Sequence, residues 1–134
     1  MEKTTKTLCL PLKKNWFHLI KMGFKKEEYR LITPYWIQRL LLVEDSGEYR
    51  RIKAEEARFL YKKHDPTALK YCLEGEILKP IDYELVRFSL GYPSGSESDK
   101  FITKKIKSIS IGFPLNSWAP AEYRKKLMFV LKIS

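Results

Sequence analysis

Past Asp65-Pro66 the hydrophobic period of this chain becomes two. Val86, Phe88 and Leu90 alternate with Leu85, Arg87 and Ser89, which sends one set of side chains to each face of a strand. Residues 101–113 continue as a long extended run whose alternation slips between Ile106 and Ile109, so a bulge is expected there. Leu127, Phe129, Leu131 and Ile133 close the chain in a strand that is apolar on both faces until Lys132, the pattern of a strand central in its sheet. The first half reads differently. Leu8, Leu10 and Leu12 form one leading strand with inward leucines, and 13–22 reads as a helix with Trp16, Leu19 and Ile20 on one face. Gly23 stands where a C′ glycine ends helices. Residues 27–32 are short and extended. Thr33 is an N-cap followed by Pro34, opening a helix expected through Val43 with Trp36, Ile37, Leu40 and Leu41 inward. Asp45-Ser46-Gly47 is a turn. Ala57, Leu60, Tyr61 and His64 carry the stripe of a third helix, starting near Lys53 and ended by Asp65-Pro66, which can cap one further turn. Residues 93–99 read as a loop and 114–120 as an irregular crossing. Strand, helix, strand, two helices, then strands: the order predicts one α+β domain over 1–134, a small β-barrel with helices packed on its outside.

Composition narrows the function classes. The chain has 134 residues, of which 44% are hydrophobic and 13% aromatic, enough to bury a core without disulfide or metal staples. No stretch approaches the roughly 18 apolar residues of a membrane span, so no membrane partner is expected. The N-terminal Met-Glu-Lys-Thr-Thr-Lys-Thr lacks the apolar centre of a signal peptide, and the fold is expected to begin at Leu8. Cys9 and Cys72 lie in apolar surroundings and read as buried free thiols, which suits a reducing cytoplasm. His18 and His64 have no ligand-type neighbours three or four residues away, and the cysteines form no C-x-x-C, so neither a metal nor another cofactor is expected. Glycine-rich phosphate loops and nucleophile elbows do not occur. Glu55 and Glu56 read as charges complementing a helix N-terminus.

The formal net charge is +10. Its basic excess lies in 1–35 and 101–134, while 71–100 is acidic. Should the terminal strands pair, that excess becomes one patch suited to nucleic acid or another polyanion.

One constellation stands out: Gly23-Phe24-Lys25-Lys26-Glu27-Glu28-Tyr29-Arg30. Gly23 lets the chain reverse beside a ligand. Glu28 and Arg30, two apart in an extended segment, share a face, so a carboxylate can steady an arginine fork that donates to a phosphate or base edge. Lys26 shares that face and Lys25 points opposite, unless the chain bends just after Gly23. Read as G-x-K-x-x-E-x-R after a strand and an amphipathic helix, the segment resembles the signature of the ASCH (activating-signal-cointegrator homology) family. Leu8-Cys-Leu-Pro-Leu-Lys, Trp16-Phe17 and Thr33-Pro-Tyr-Trp-Ile add to the resemblance, as does Val86-Arg-Phe-Ser-Leu-Gly-Tyr. It is clear over about 6–40 and weaker over 83–133.

The resemblance implies a barrel similar to the PUA domain, with the motif lining a cleft beside the first helix, and an RNA-binding or RNA-processing role. Some relatives are amidohydrolases of N4-acetylcytidine in which the motif lysine acts with a threonine and a glutamate. Lys25 matches the lysine, but the threonine position is Glu28 here. Three readings follow. The first is a module holding single-stranded or modified RNA, or a nucleoside, in a basic cleft. Its ligand contacts would be Gly23, Lys25, Lys26, Glu28, Arg30, Arg87, Tyr92, Lys104, Lys105 and Lys107. The second is a small amidohydrolase or nuclease acting on a modified nucleoside or RNA. There Lys25 transfers a proton beside its carboxylate partner Glu28, which requires a desolvated lysine. The third is a basic adaptor that binds protein. Trp16, Tyr35, Trp36, Tyr83, Phe88 and Tyr92 could offer stacking surfaces, with Trp16, Trp36 and Phe88 more readily read as core. Arg124-Lys125-Lys126 is a further candidate phosphate contact.

Overall fold

The computed structural model describes residues 6–134; the expectation for the polar N-terminus falls largely on 1–5, outside the described residues. The chain is α+β, with eight strands and four helices among those residues. A five-stranded sheet has the order β1-β6-β7-β8-β2, from β1 (Thr7–Leu12), β6 (Leu85–Leu90), β7 (Phe101–Gly112), β8 (Met128–Ile133) and β2 (Glu27–Arg30). These are the four strands the alternation predicts together with the short extended segment 27–32, held in one sheet. The sheet is mixed: β1 runs parallel to β6, and β6 antiparallel to β7. Its order is open, with β1 and β2 at the edges, so among the described residues it does not close into the expected barrel. The first and last strands share the sheet without pairing, because β6 and β7 intervene. Hence the condition for a single terminal patch is not met. Edge position suits β1, since Pro11 has no amide to give a neighbour.

The chain divides into two compact units. One comprises residues 6–28 with Asp82–Ser108 and Lys132–Ser134. Here Leu8, Leu10 and Leu12 on β1, and Val86 and Phe88 on β6, are buried. Helix α1 (Lys14–Lys21) packs on β6 and buries Phe17 and Ile20; Trp16 and Leu19, expected inward, are half-buried. Alternation along β7 slips at Lys107 and Ser108, both exposed, before Ile109 turns inward. Cys9 points to the exposed side of β1 and Cys72 is half-buried, which corrects the reading of both as buried. Strand parity explains Cys9: it alternates with the inward leucines.

The other unit comprises Tyr29–Ile81 and Ile109–Leu131. Thr33 caps α2 (Pro34–Leu40), its hydroxyl accepting from the Trp36 amide at 3.3 Å. The helix stops three residues before the expected end: Leu41 is extended (φ −123°, ψ 152°), and Leu41–Asp45 is strand β3. The run Leu40-Leu-Leu-Val43 fits a buried strand as well as a helix face. Ser46 and Gly47, at φ 56° and 86°, make the two-residue turn to β4 (Glu48–Arg51). Asp45 thus faces Glu48 in an antiparallel hairpin, and β5 (Leu78–Pro80) completes a second sheet of order β4-β3-β5. In α3 (Ala54–Lys63) Ala57 is buried, Leu60 and the flanking His64 are half-buried, and Tyr61 is 51% exposed, so the expected stripe is narrower. Asp65 caps not one turn but a nine-residue helix, α4 (Pro66–Glu74). Tyr29, Ala119, Met128 and Val130 form a buried cluster against Trp118 and Tyr123.

An ion network fixes the hairpin to α3. Arg50 grips Glu56 through both terminal nitrogens at 2.8 Å and Asp45 through Nε at 2.8 Å. Glu56 also accepts from the Lys53 amide at 2.9 Å, satisfying a donor at the helix start. The Arg50 guanidinium first, then that amide, holds the Glu56 carboxyl down at about 2 against an ordinary 4.5. A depressed folded value stabilises the fold above about pH 4.5, and the contribution is lost as pH falls toward 2. Because about a third of each side chain is exposed, solvent screening leaves about 1 kcal/mol. Urea unfolding of Glu56→Gln is therefore expected to lie about 1 kcal/mol below wild type at neutral pH. That gap should close toward pH 2; a pH-independent gap would mean the pair is open in solution.

Candidate nucleic-acid interface

The motif begins at the end of α1. Gly23 adopts φ +81°, with nothing within 4 Å of where a Cβ would stand. Its role is conformational freedom in a left-handed turn, not close approach. The amides of Phe24 and Lys25 both donate to the Leu19 carbonyl, at 3.0 and 3.1 Å. This bend precedes β2 and turns Lys25 toward Glu28. Lys25 Nζ donates to Glu28 Oε1 at 3.0 Å and lies 4.5 Å from the centre of the Trp16 ring. Lys25 is 2% exposed and Glu28 4%. Neither is the open-groove contact expected of them. Lys25 does not point away from Glu28, and as a buried cation it cannot be deleted cheaply. Lys26 is exposed, and its carbonyl accepts from Ile133 N at 3.0 Å.

In the other unit, Arg30 lies with its guanidinium carbon 5.3 Å from the Trp36 ring centre, Nη1 donating to the Tyr29 carbonyl at 3.4 Å. Arg39 sits one helical turn beyond Trp36, 5.9 Å from that ring and 5.4 Å from Tyr35. The two rings meet edge to face at 4.9 Å. The Thr33 cap places Tyr35 and Trp36 in the first turn of α2, and helical spacing brings Arg39 back over them. Tyr35 is 58% exposed and the other three are half-buried. Two guanidiniums and two rings thus meet at the motif arginine. Arg39 was not among the expected contacts, although its spacing from Trp36 was visible.

The remaining expected contacts divide. Arg87, Lys105 and Lys107 are exposed, whereas Lys104 is half-buried with the opposite strand parity. Tyr92 is 93% exposed beside Gly91, which adopts φ +63°. It borders an open groove of about 530 Å³ with Lys13, Lys14 and Pro11. Phe88 is 0% exposed and belongs to the core. Lys125 and Lys126 are exposed, and Arg124 donates to the Ala119 carbonyl at 3.2 Å. Among the described residues no group of His, Cys, Asp or Glu could hold a metal ion, and no helix is long and apolar enough to cross a membrane. No family model, curated protein or solved structure matches the chain.

Proposed function

We propose that this chain is an RNA-binding module of the ASCH type, with a PUA-like fold, that holds unpaired bases or a modified nucleoside at the motif. The observation that carries the reading is the cluster of cation–aromatic contacts among Arg30, Trp36, Arg39 and Tyr35. Arginine beside aromatic rings is a combination suited to phosphates and bases, and the exposed Tyr35 ring can accept an unpaired base. A net charge of +10 supplies the sequence-independent attraction. Arg30→Lys keeps the charge but loses the planar fork. It is expected to weaken binding of single-stranded RNA or nucleoside about tenfold, close to 1.4 kcal/mol, while the melting temperature barely moves. Fluorescence anisotropy with labelled RNA measures the first and thermal unfolding the second. Wild-type affinity in Arg30→Lys would remove the cluster from the ligand site.

A hydrolase reading has one observation in its favour. Lys25 is buried, and Glu28 is the carboxylate beside it at 3.0 Å. Glu28 at the relatives' threonine position leaves that reading without their hydroxyl, so binding remains the better supported function.

A further inference from the structure

Among the described residues of the unit that holds β1, β6 and the first part of β7, the strand positions of opposite parity to the buried leucines include the exposed Thr7, Cys9, Arg87, Thr103 and Lys105. Register fixes their rows. Thr7, Leu85 and Lys105 lie side by side, then Cys9, Arg87 and Thr103, then Pro11, Ser89 and Phe101. No position in these rows is acidic. Strand parity adds Lys107 to the same face. It adds Lys132 as well, two residues before Ser134, whose amide donates to the Lys105 carbonyl at 3.1 Å. Arg87, Lys105, Lys107 and Lys132 are all exposed, and none is ion-paired with a described residue. Four uncompensated cations on one sheet face carry a repulsion that folding alone gives no reason to keep.

The second observation is a cation–aromatic contact. The Arg87 guanidinium carbon lies 3.8 Å from the centre of the Phe101 ring, at stacking distance. Arg87 is exposed and Phe101 half-buried. An exposed guanidinium held against an aromatic ring offers a base a partner to stack on. Beyond the Phe101 row Pro11 leads into the groove bordered by Tyr92, a second exposed ring. Rows two residues apart are about 6.6 Å from one another, so cations, stacked arginine and tyrosine succeed one another along the strands.

We infer that this face is a binding surface for single-stranded nucleic acid, with Lys105, Lys107 and Lys132 on its phosphates and Arg87 and Tyr92 stacking on its bases. The charge pattern calls for a polyanion, and the stacking groups call for unpaired bases, which a duplex does not offer. The inference does not depend on the Arg30–Trp36 cluster, which belongs to the other unit.

The test is fluorescence anisotropy of the full chain with labelled oligouridylate and with an RNA duplex of equal length, between about 50 and 200 mM salt. Arg87→Ala is expected to weaken single-strand binding about tenfold, and Arg87→Lys to restore only part of it. Lys105→Ala with Lys107→Ala should lower the log–log salt slope by about 1.4, at about 0.7 for each phosphate on a single strand. The duplex should bind more weakly and be indifferent to Arg87→Lys. Loss in Arg87→Ala with wild-type binding in Arg30→Lys would leave this surface standing and the cluster failing. Loss in Arg30→Lys with none in Arg87→Ala would overturn it. Equal binding of duplex and single strand would also overturn it, as would an unchanged salt slope, or capture of an acidic protein by a chain that binds no RNA.

Discussion

Lys25→Ala and Glu28→Ala are each expected to lower folding stability by about 3–5 kcal/mol, because each breaks a buried ion pair. The side chains are 1% and 5% exposed and their charged atoms 3.0 Å apart. Neither charge has bulk solvent to retreat to when the other is removed. At about 4 °C per kcal/mol for a chain of this size, the melting temperature should fall by about 10–20 °C. Replacing both partners by apolar residues of similar volume, Lys25→Met with Glu28→Leu, removes two desolvation penalties together with their attraction. Such swaps are often neutral or stabilising, so the double variant should unfold within about 1 kcal/mol of wild type. Thermal and urea unfolding of the three variants measures this non-additivity directly. Lys25→Ala at wild-type stability would mean the ammonium reaches water. The double variant also separates scaffold from chemistry: retained RNA binding would make the pair structural, whereas a hydrolytic activity lost only with it would favour the second reading.

Where one face of an element is buried and the other wet, its pattern was legible. Leu8, Leu10 and Leu12 turned inward, and β6 fell where period two placed it. The slip in β7 appeared at Lys107 and Ser108. Failures came where both structures satisfy the same residues. Leu40-Leu-Leu-Val43 is apolar throughout, so periodicity could not place the end of α2, and the second sheet went unseen with it. The turn that betrays β3 was nonetheless read: Ser46-Gly47 between short segments is a hairpin connection as readily as a helix stop. Asp65-Pro66 was read as a cap, yet α4 carries only one fully buried residue, Leu69, and its stripe was too thin to announce a helix. Closure of a sheet is set by the strand order, which local pattern does not contain.

The site was legible in its residue types and not in its pairings. Lys25 and Glu28 came from the motif, but their contact depends on the bend made by two amides converging on the Leu19 carbonyl. Arg87 was a candidate cation, while its partner Phe101 is fixed by the register of β6 on β7, fourteen positions away in the chain. Lys104, Lys105 and Lys107 look alike in sequence; parity separates the first from the other two.

Adjacent residues on β6 give the sharpest separation of fold from function. Phe88 is 0% exposed, flanked in register by Leu10 on β1 and Ile102 on β7. Phe88→Ala removes a fully buried ring from a face that α1 covers, so it should cost about 3–5 kcal/mol from lost transfer free energy and the cavity left behind. Arg87, one residue earlier, points the other way. Arg87→Ala forfeits only its contact with Phe101, about 0.5–1 kcal/mol at an exposed site. The two variants should therefore exchange phenotypes. Phe88→Ala is expected to lose most of its stability while whatever remains folded binds single-stranded RNA normally, and Arg87→Ala to melt near wild type and bind about tenfold more weakly. Urea unfolding and anisotropy on the same preparations measure both. If Arg87→Ala unfolds as readily as Phe88→Ala, the arginine holds the sheet together and the exposed face is scaffold; if it does neither, the stack on Phe101 is a surface contact without a ligand.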